Sequence, residues 1–131
     1  ILETSGHQDT HRILRGGKDG PNYHDEAVED ALKSLEEAGL EARIVVDCSH
    51  GNSRKEFSRQ EKVLTSVIRQ RLEGRREIVG FMLESNIAEG RQNIPSDSRQ
   101  LAYGVSVTDP CIGWDTTERL LTAAAEKLAA D

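Results

Sequence analysis

The stretch Arg43-Ile44-Val45-Val46-Asp47-Cys48-Ser49-His50 decides how this chain is read. Its apolar part is short and rich in β-branched residues, as expected of a parallel strand buried on both faces. It then ends on an imidazole. Two other short apolar runs end on a carboxylate: Ile78-Val79-Gly80-Phe81-Met82-Leu83-Glu84 and Val105-Ser106-Val107-Thr108-Asp109. A fourth, His11-Arg12-Ile13-Leu14-Arg15-Gly16-Gly17, ends on an arginine and two glycines. Helix-like stretches follow the first, second and fourth of these runs in chain order. The pattern is a βα repeat with polar groups at the carboxyl ends of its strands, where parallel α/β folds and βα barrels carry their active sites.

The elements follow from periodicity. Strands are expected over 11–15, 43–48, 77–84 and 104–108. Ala27, Val28, Ala31, Leu32, Leu35 and Ala38 recur at helical spacing, which predicts a helix over 24–38 stopped by Gly39. Phe57, Val63, Leu64, Val67, Ile68 and Leu72 predict a second helix over 53–73. A third begins near Asp115, with Asp115 and Glu118 at capping-box spacing and Leu120, Leu121, Ala124 and Leu128 as its buried stripe. Residues 86–104 carry no helical stripe and read as a long loop; residues 1–10 read as a loop or hairpin remnant. Trp114 is expected to pack the last helix, Tyr103 to pack in its loop, and Glu36, Glu37, Arg75 and Arg76 to be solvated.

Composition limits the function classes. The 131 residues make one domain, with 36% apolar and 31% charged residues and a formal charge of −6. A nucleic-acid partner normally calls for a basic surface, so none is expected. No run reaches the roughly 20 apolar residues of a membrane span, and no membrane partner is expected. Ile1-Leu2-Glu3-Thr4 lacks the basic start and apolar middle of a secretory leader, which points to the cytoplasm. Cys48 and Cys111 read as reduced thiols rather than a bridge.

His50, Glu84 and Asp109 occupy one topological position. One imidazole and two carboxylates make a mixed N/O donor set suited to Mn²⁺, Fe²⁺, Co²⁺ or Zn²⁺. An open coordination position would suit catalysis. Arg15-Gly16-Gly17-Lys18 reads as a phosphate site: the arginine can bind bidentately and the glycines let backbone N–H groups approach an anion.

Ile13-Leu14-Arg15-Gly16-Gly17-Lys18, Pro21-Asn22-Tyr23, Asp47-Cys48-Ser49-His50-Gly51-Asn52-Ser53, Glu84-Ser85, Glu89-Gly90, Leu101-Ala102-Tyr103-Gly104 and Thr108-Asp109-Pro110-Cys111-Ile112-Gly113-Trp114 closely resemble the carboxyl-terminal half of class I 3-deoxy-D-arabino-heptulosonate 7-phosphate (DAHP) synthases. The resemblance covers essentially the whole chain, in order. It implies the last four βα units of a (βα)8 TIM barrel, with residues 1–131 a partial barrel domain that lacks its amino-terminal half. A complete barrel needs about 250 residues. It implies condensation of phosphoenolpyruvate with erythrose 4-phosphate in the shikimate pathway, with release of phosphate, and a homo-oligomer for the full-length parent. It implies His50, Glu84 and Asp109 as three of four metal ligands, Arg15 as a ligand of the phosphoenolpyruvate phosphate, and Asp109 near an erythrose 4-phosphate hydroxyl. Arg15, His50 and Asp109 would be the catalytic residues. The fourth ligand, a cysteine, and a Lys-Pro-Arg motif belong to the family's other half; Cys48 and Cys111 stand elsewhere in the pattern. This chain alone is therefore expected to be inactive. Two rivals remain: a stable non-catalytic piece that binds metal weakly, and another metal-dependent aldolase on a βα barrel.

Overall fold

The structure, a computed structural model, describes residues 2, 3, 5–7 and 9–130. The elements run β1 (Arg12–Leu14), α1 (Asp25–Glu37), β2 (Ile44–Asp47), a 3₁₀ turn (Phe57–Arg59), α2 (Gln60–Leu72), β3 (Ile78–Met82), a second 3₁₀ turn (Ser98–Gln100) and α3 (Trp114–Ala129). The strands form one parallel sheet in the order β1-β2-β3. Register is Leu14↔Val46↔Phe81, with an irregularity between Ile44 and Val45 that leaves Val79 without a partner. The fold is α/β with βα units in succession, as expected.

One face of the sheet is covered by helices. Leu14, Ile44, Val46 and Ile78 are buried there against Val28, Ala31 and Leu35 of α1 and Val63, Leu64, Val67 and Ile68 of α2. These helical residues recur three and four apart, so each helix turns one apolar stripe to the sheet. The opposite face is open: Ile13 is 45% exposed and Val79 56%. α3 adds Leu120 and Ala124 to the core, while Leu121 and Leu128 of its expected stripe stay exposed. Arg119 holds α3 to α2 through both oxygens of Glu61, each at 2.8 Å.

Gly39 ends α1 as its position predicts. It is left-handed (φ 66°), its N–H donates to Glu36 O, and the Leu40 N–H donates to Leu35 O. Only glycine enters this conformation without a Cβ penalty.

Several expectations change. No fourth strand forms over 104–108. Ser106 makes only a single bridge with Arg91, and the Val105 carbonyl accepts from the Gln92 side chain at 2.9 Å rather than from a neighbouring strand. α2 starts at Gln60 rather than 53, because residues 50–55 form turns closed by Ser53 N–H to Ser49 O and Lys55 N–H to His50 O. α3 starts at Trp114 with Gly113 as its N-cap, so Asp115 lies inside the first turn and makes no side-chain cap. Trp114 and Tyr103 are 57% and 89% exposed, not packed. Arg75 pairs with Glu29 at 2.8 Å instead of being simply solvated. Part of the leading loop, residues 1, 4 and 8, lies outside the described residues; its described part holds no strand or helix.

Candidate metal centre

β2 and β3 run side by side, so their carboxyl ends open at the same level. Cys48 N–H donates to Met82 O at 2.9 Å and carries the pairing past the strand ends. His50 follows in the turn that leaves β2. Its φ of 48° lies in the left-handed region, a conformation costing a non-glycine residue about 1–2 kcal/mol. Such strain persists where the surroundings over-determine it.

Those surroundings are buried polar side chains. Asp47 is 3% exposed. Its Oδ1 accepts from the Ser49 N–H at 2.8 Å, and its Oδ2 lies 2.8 Å from His50 Nδ1. The Nδ1–H direction misses that oxygen, so the contact is an electrostatic approach rather than an aligned hydrogen bond. Either way, Nδ1 faces Asp47 and Nε2 turns outward. Nε2 lies 3.5 Å from Glu84 Oε1 and 3.9 Å from Asp109 Oδ2.

Glu84 is held at both ends. Ser49 Oγ donates to Glu84 Oε2 at 2.6 Å. Gln60, fully buried, donates from Nε2 to Glu84 O at 3.0 Å and accepts the Glu84 N–H at 2.8 Å. Asp109 arrives differently. The segment after it docks beside residues 84–90: Ile112 N–H donates to Glu84 O, and Gly90 and Cys111 exchange two bonds. The Asp109 side chain remains half exposed.

One donor atom each from His50, Glu84 and Asp109 lies within 4.8 Å of the other two. Two acidic side chains and an imidazole gathered this closely present oxygen and nitrogen donors to a shared point that a cation can occupy. The donors therefore fit a divalent ion, with the Asp47 carboxylate 2.8 Å behind the histidine ring. The sequence brings these three residues to one place, as expected.

Arg15 lies at the end of β1, on the same side of the sheet. Its carbonyl accepts the Gly51 N–H at 3.0 Å, and its side chain is exposed. The glycines beside it do not form the expected anion cradle. Gly16 N–H donates to Asn22 Oδ1 at 2.7 Å and Gly17 N–H to Gly20 O at 2.9 Å, so both donors are already used. Gly16 is needed for packing: a Cβ there would stand 2.6 Å from Gly51 Cα, and its φ is +88°.

Cys48 and Cys111 are buried free thiols. Burial, then the Asp47 charge, pushes the Cys48 thiol up to about 12. It is therefore a packed, unreactive thiol. Cys111 is also raised, chiefly by burial.

Sequence reasoning missed the supporting residues. Asn52, 3% exposed, donates to Leu14 O and Asp47 O and accepts the Asn22 N–H, tying two strand ends to one loop. For Gln60 a signal existed: it falls on the same helical stripe as Val63, Leu64 and Val67. A polar residue on a buried stripe must find hydrogen-bond partners.

Comparison with known proteins gives a consistent picture. Residues 2–122 match the model of the DAHP synthetase I family. The phenylalanine-inhibited phospho-2-dehydro-3-deoxyheptonate aldolase of Saccharomyces cerevisiae is 50% identical over 96% of this chain and 36% of its own length. The Tyr-sensitive aldolase of Escherichia coli is 50% identical over 92% of this chain and 34% of its own. Among solved structures, the phospho-2-dehydro-3-deoxyheptonate aldolase of Francisella tularensis superposes with a TM-score of 0.87 at 41% identity, covering 95% of this chain and 36% of that one. The chain thus spans about a third of the length of these relatives.

Proposed function

This chain belongs to the DAHP synthetase I family, and from that premise we propose that it forms the carboxyl-terminal part of a (βα)8 barrel, residues 1–131 being one partial domain. The barrel condenses phosphoenolpyruvate with erythrose 4-phosphate in the cytoplasm, within a homo-oligomer. C3 of phosphoenolpyruvate attacks the aldehyde carbon, water adds at C2, and phosphate leaves. The convergence of His50, Glu84 and Asp109 at adjoining strand ends is the observation that carries this reading.

These three residues would hold one divalent ion (Mn, Fe, Co or Zn), which when bound supplies Lewis-acid polarisation of the aldehyde. Nδ1 of His50 faces the Asp47 carboxylate, so Nε2 is the nitrogen turned toward Glu84 and Asp109. Ser49 and Gln60 hold Glu84 in place before any ligand arrives, which removes an ordering cost from binding. Arg15 binds the phosphate of phosphoenolpyruvate through its guanidinium and stabilises charge as that group departs. Asp109, the most exposed of the three, also accepts a hydrogen bond from an erythrose 4-phosphate hydroxyl. The open face of the sheet is the side on which the rest of the barrel closes, so this chain alone turns over no substrate.

Two measurements test this. Mn²⁺ is titrated into metal-stripped chain and followed by EPR, alongside His50→Ala. Saturable binding that His50→Ala abolishes is expected; equal binding by both proteins would discard the centre. Phosphoenolpyruvate loss is followed with the chain alone and after adding the remaining barrel strands as a separate polypeptide. Activity only in the second case is expected, and activity in the first would overturn the shared-barrel reading.

A further inference from the structure

We propose a second anion site, separate from the metal centre, that takes the phosphoryl group of a small soluble metabolite. It lies between the loop that follows β1 and the loop that leads from β2 into α2. The cavity is about 260 Å³. Its floor is buried Tyr23, Asn52 and Val63. Arg54, Arg59, Lys62 and His24 line it, and among the described residues no carboxylate does. In a chain of formal charge −6 this is a local reversal of sign, and concave sites lined by one sign of charge concentrate the opposite ion.

The cations are available. Arg59 spends only its Nε on Glu56, at 2.6 Å. Arg54 and Lys62 form no ion pair among the described residues, whereas Arg69, Arg75, Arg99 and Arg119 do. Arg54 sits at φ 55°, its N–H closed onto Gly51 O at 3.1 Å, so the turn fixes where its side chain leaves the backbone. Two guanidinium groups and an ammonium on a concave surface match the oxygens of a phosphoryl group, with arginine able to bind bidentately. The pocket's small size favours a metabolite over a nucleic acid. Asn52 forms part of this floor and also holds the Leu14 and Asp47 carbonyls, so it stands between the two sites.

The test uses inorganic phosphate as the probe, with metal-free protein at constant ionic strength set by chloride. Amide resonances are followed by ¹H–¹⁵N NMR in the wild type, Arg54→Glu/Lys62→Glu and Arg15→Ala. Both reversed residues are exposed, and circular dichroism checks that the variant folds. Saturable shifts centred on residues 21–24 and 52–63 are expected. They should survive Arg15→Ala and weaken at least about tenfold in the double variant. Shifts that rise linearly without saturation, that centre on residues 15–20, or that vanish with Arg15→Ala would each overturn the site. Because no metal is present, failure here leaves the metal-centre reading intact, and failure of that reading leaves this one intact.

Discussion

His50 and Glu84 reach the centre on strand ends held by buried side chains, whereas Asp109 reaches it on a loop. Behind the first two stand Asp47, Ser49, Asn52 and Gln60, whose polar groups are paired with strand-end backbone or with the ligands themselves. Behind Asp109 stand a few backbone bonds around Cys111 and Ile112, and its carboxylate is half exposed. The difference separates two tasks. In the proposed centre the strand ends would supply two donors held by buried partners, and the loop would supply a third, half-exposed one. In a fold that carries chemistry on loops over a rigid scaffold, this division is expected.

The contrast can be broken most directly at Asn52. Asn52→Ala leaves two buried carbonyls and one N–H without their partner. Urea unfolding should report a loss of about 2–4 kcal/mol; a loss below about 1 kcal/mol would mean that the strand ends do not depend on it. Next, Asp47→Asn keeps an acceptor for Ser49 but removes the charge behind His50. Mn²⁺ affinity by EPR should fall about 10–100-fold, and unchanged affinity would remove Asp47 from the centre. Asp109→Asn should separate the two regions: weaker Mn²⁺ binding, with stability within about 0.5 kcal/mol of wild type. A large stability loss would show the loop to be as built-in as the strands.

The smallest effect lies away from the centre. The hydrogen bond from Arg119 holds the Glu61 carboxyl below its usual range. A carboxylate with a lowered folded pKa adds stability above its unfolded pKa, and loses it as pH falls through the folded value. Both side chains are about half exposed, so the gain is at most about 0.5 kcal/mol. Unfolding curves of wild type and Arg119→Ala should differ by that little near neutral pH and converge as the solution is acidified below about pH 4. A gap that persists in acid would assign the difference to packing of the arginine stem.

Much of this was legible in one dimension. Three apolar runs became β1, β2 and β3, and three helical stripes became α1, α2 and α3, because burial of one face imposes a period that the residues themselves record. The fourth run did not become a strand. Val105, Ser106 and Val107 have strand-like composition, but a strand also needs a neighbouring backbone to pair with, and here the Val105 carbonyl is bonded to the Gln92 side chain instead. The glycines after Arg15 misled in a related way. Their type announces close backbone approach, but not whether the partner is an anion or Gly51.

The α/β class, the helical stripes and the three residues that meet at the strand ends can all be read along the chain, since period and topological position are both written there. The tertiary structure alone decided which nitrogen of His50 faces outward, that Gln60 clamps Glu84, that the Gly16 and Gly17 N–H groups are spent, and that Arg54, Arg59 and Lys62 share one cavity. Hydrogen-bond direction and the meeting of two loops depend on distances between residues far apart in the chain, and local pattern carries no record of them.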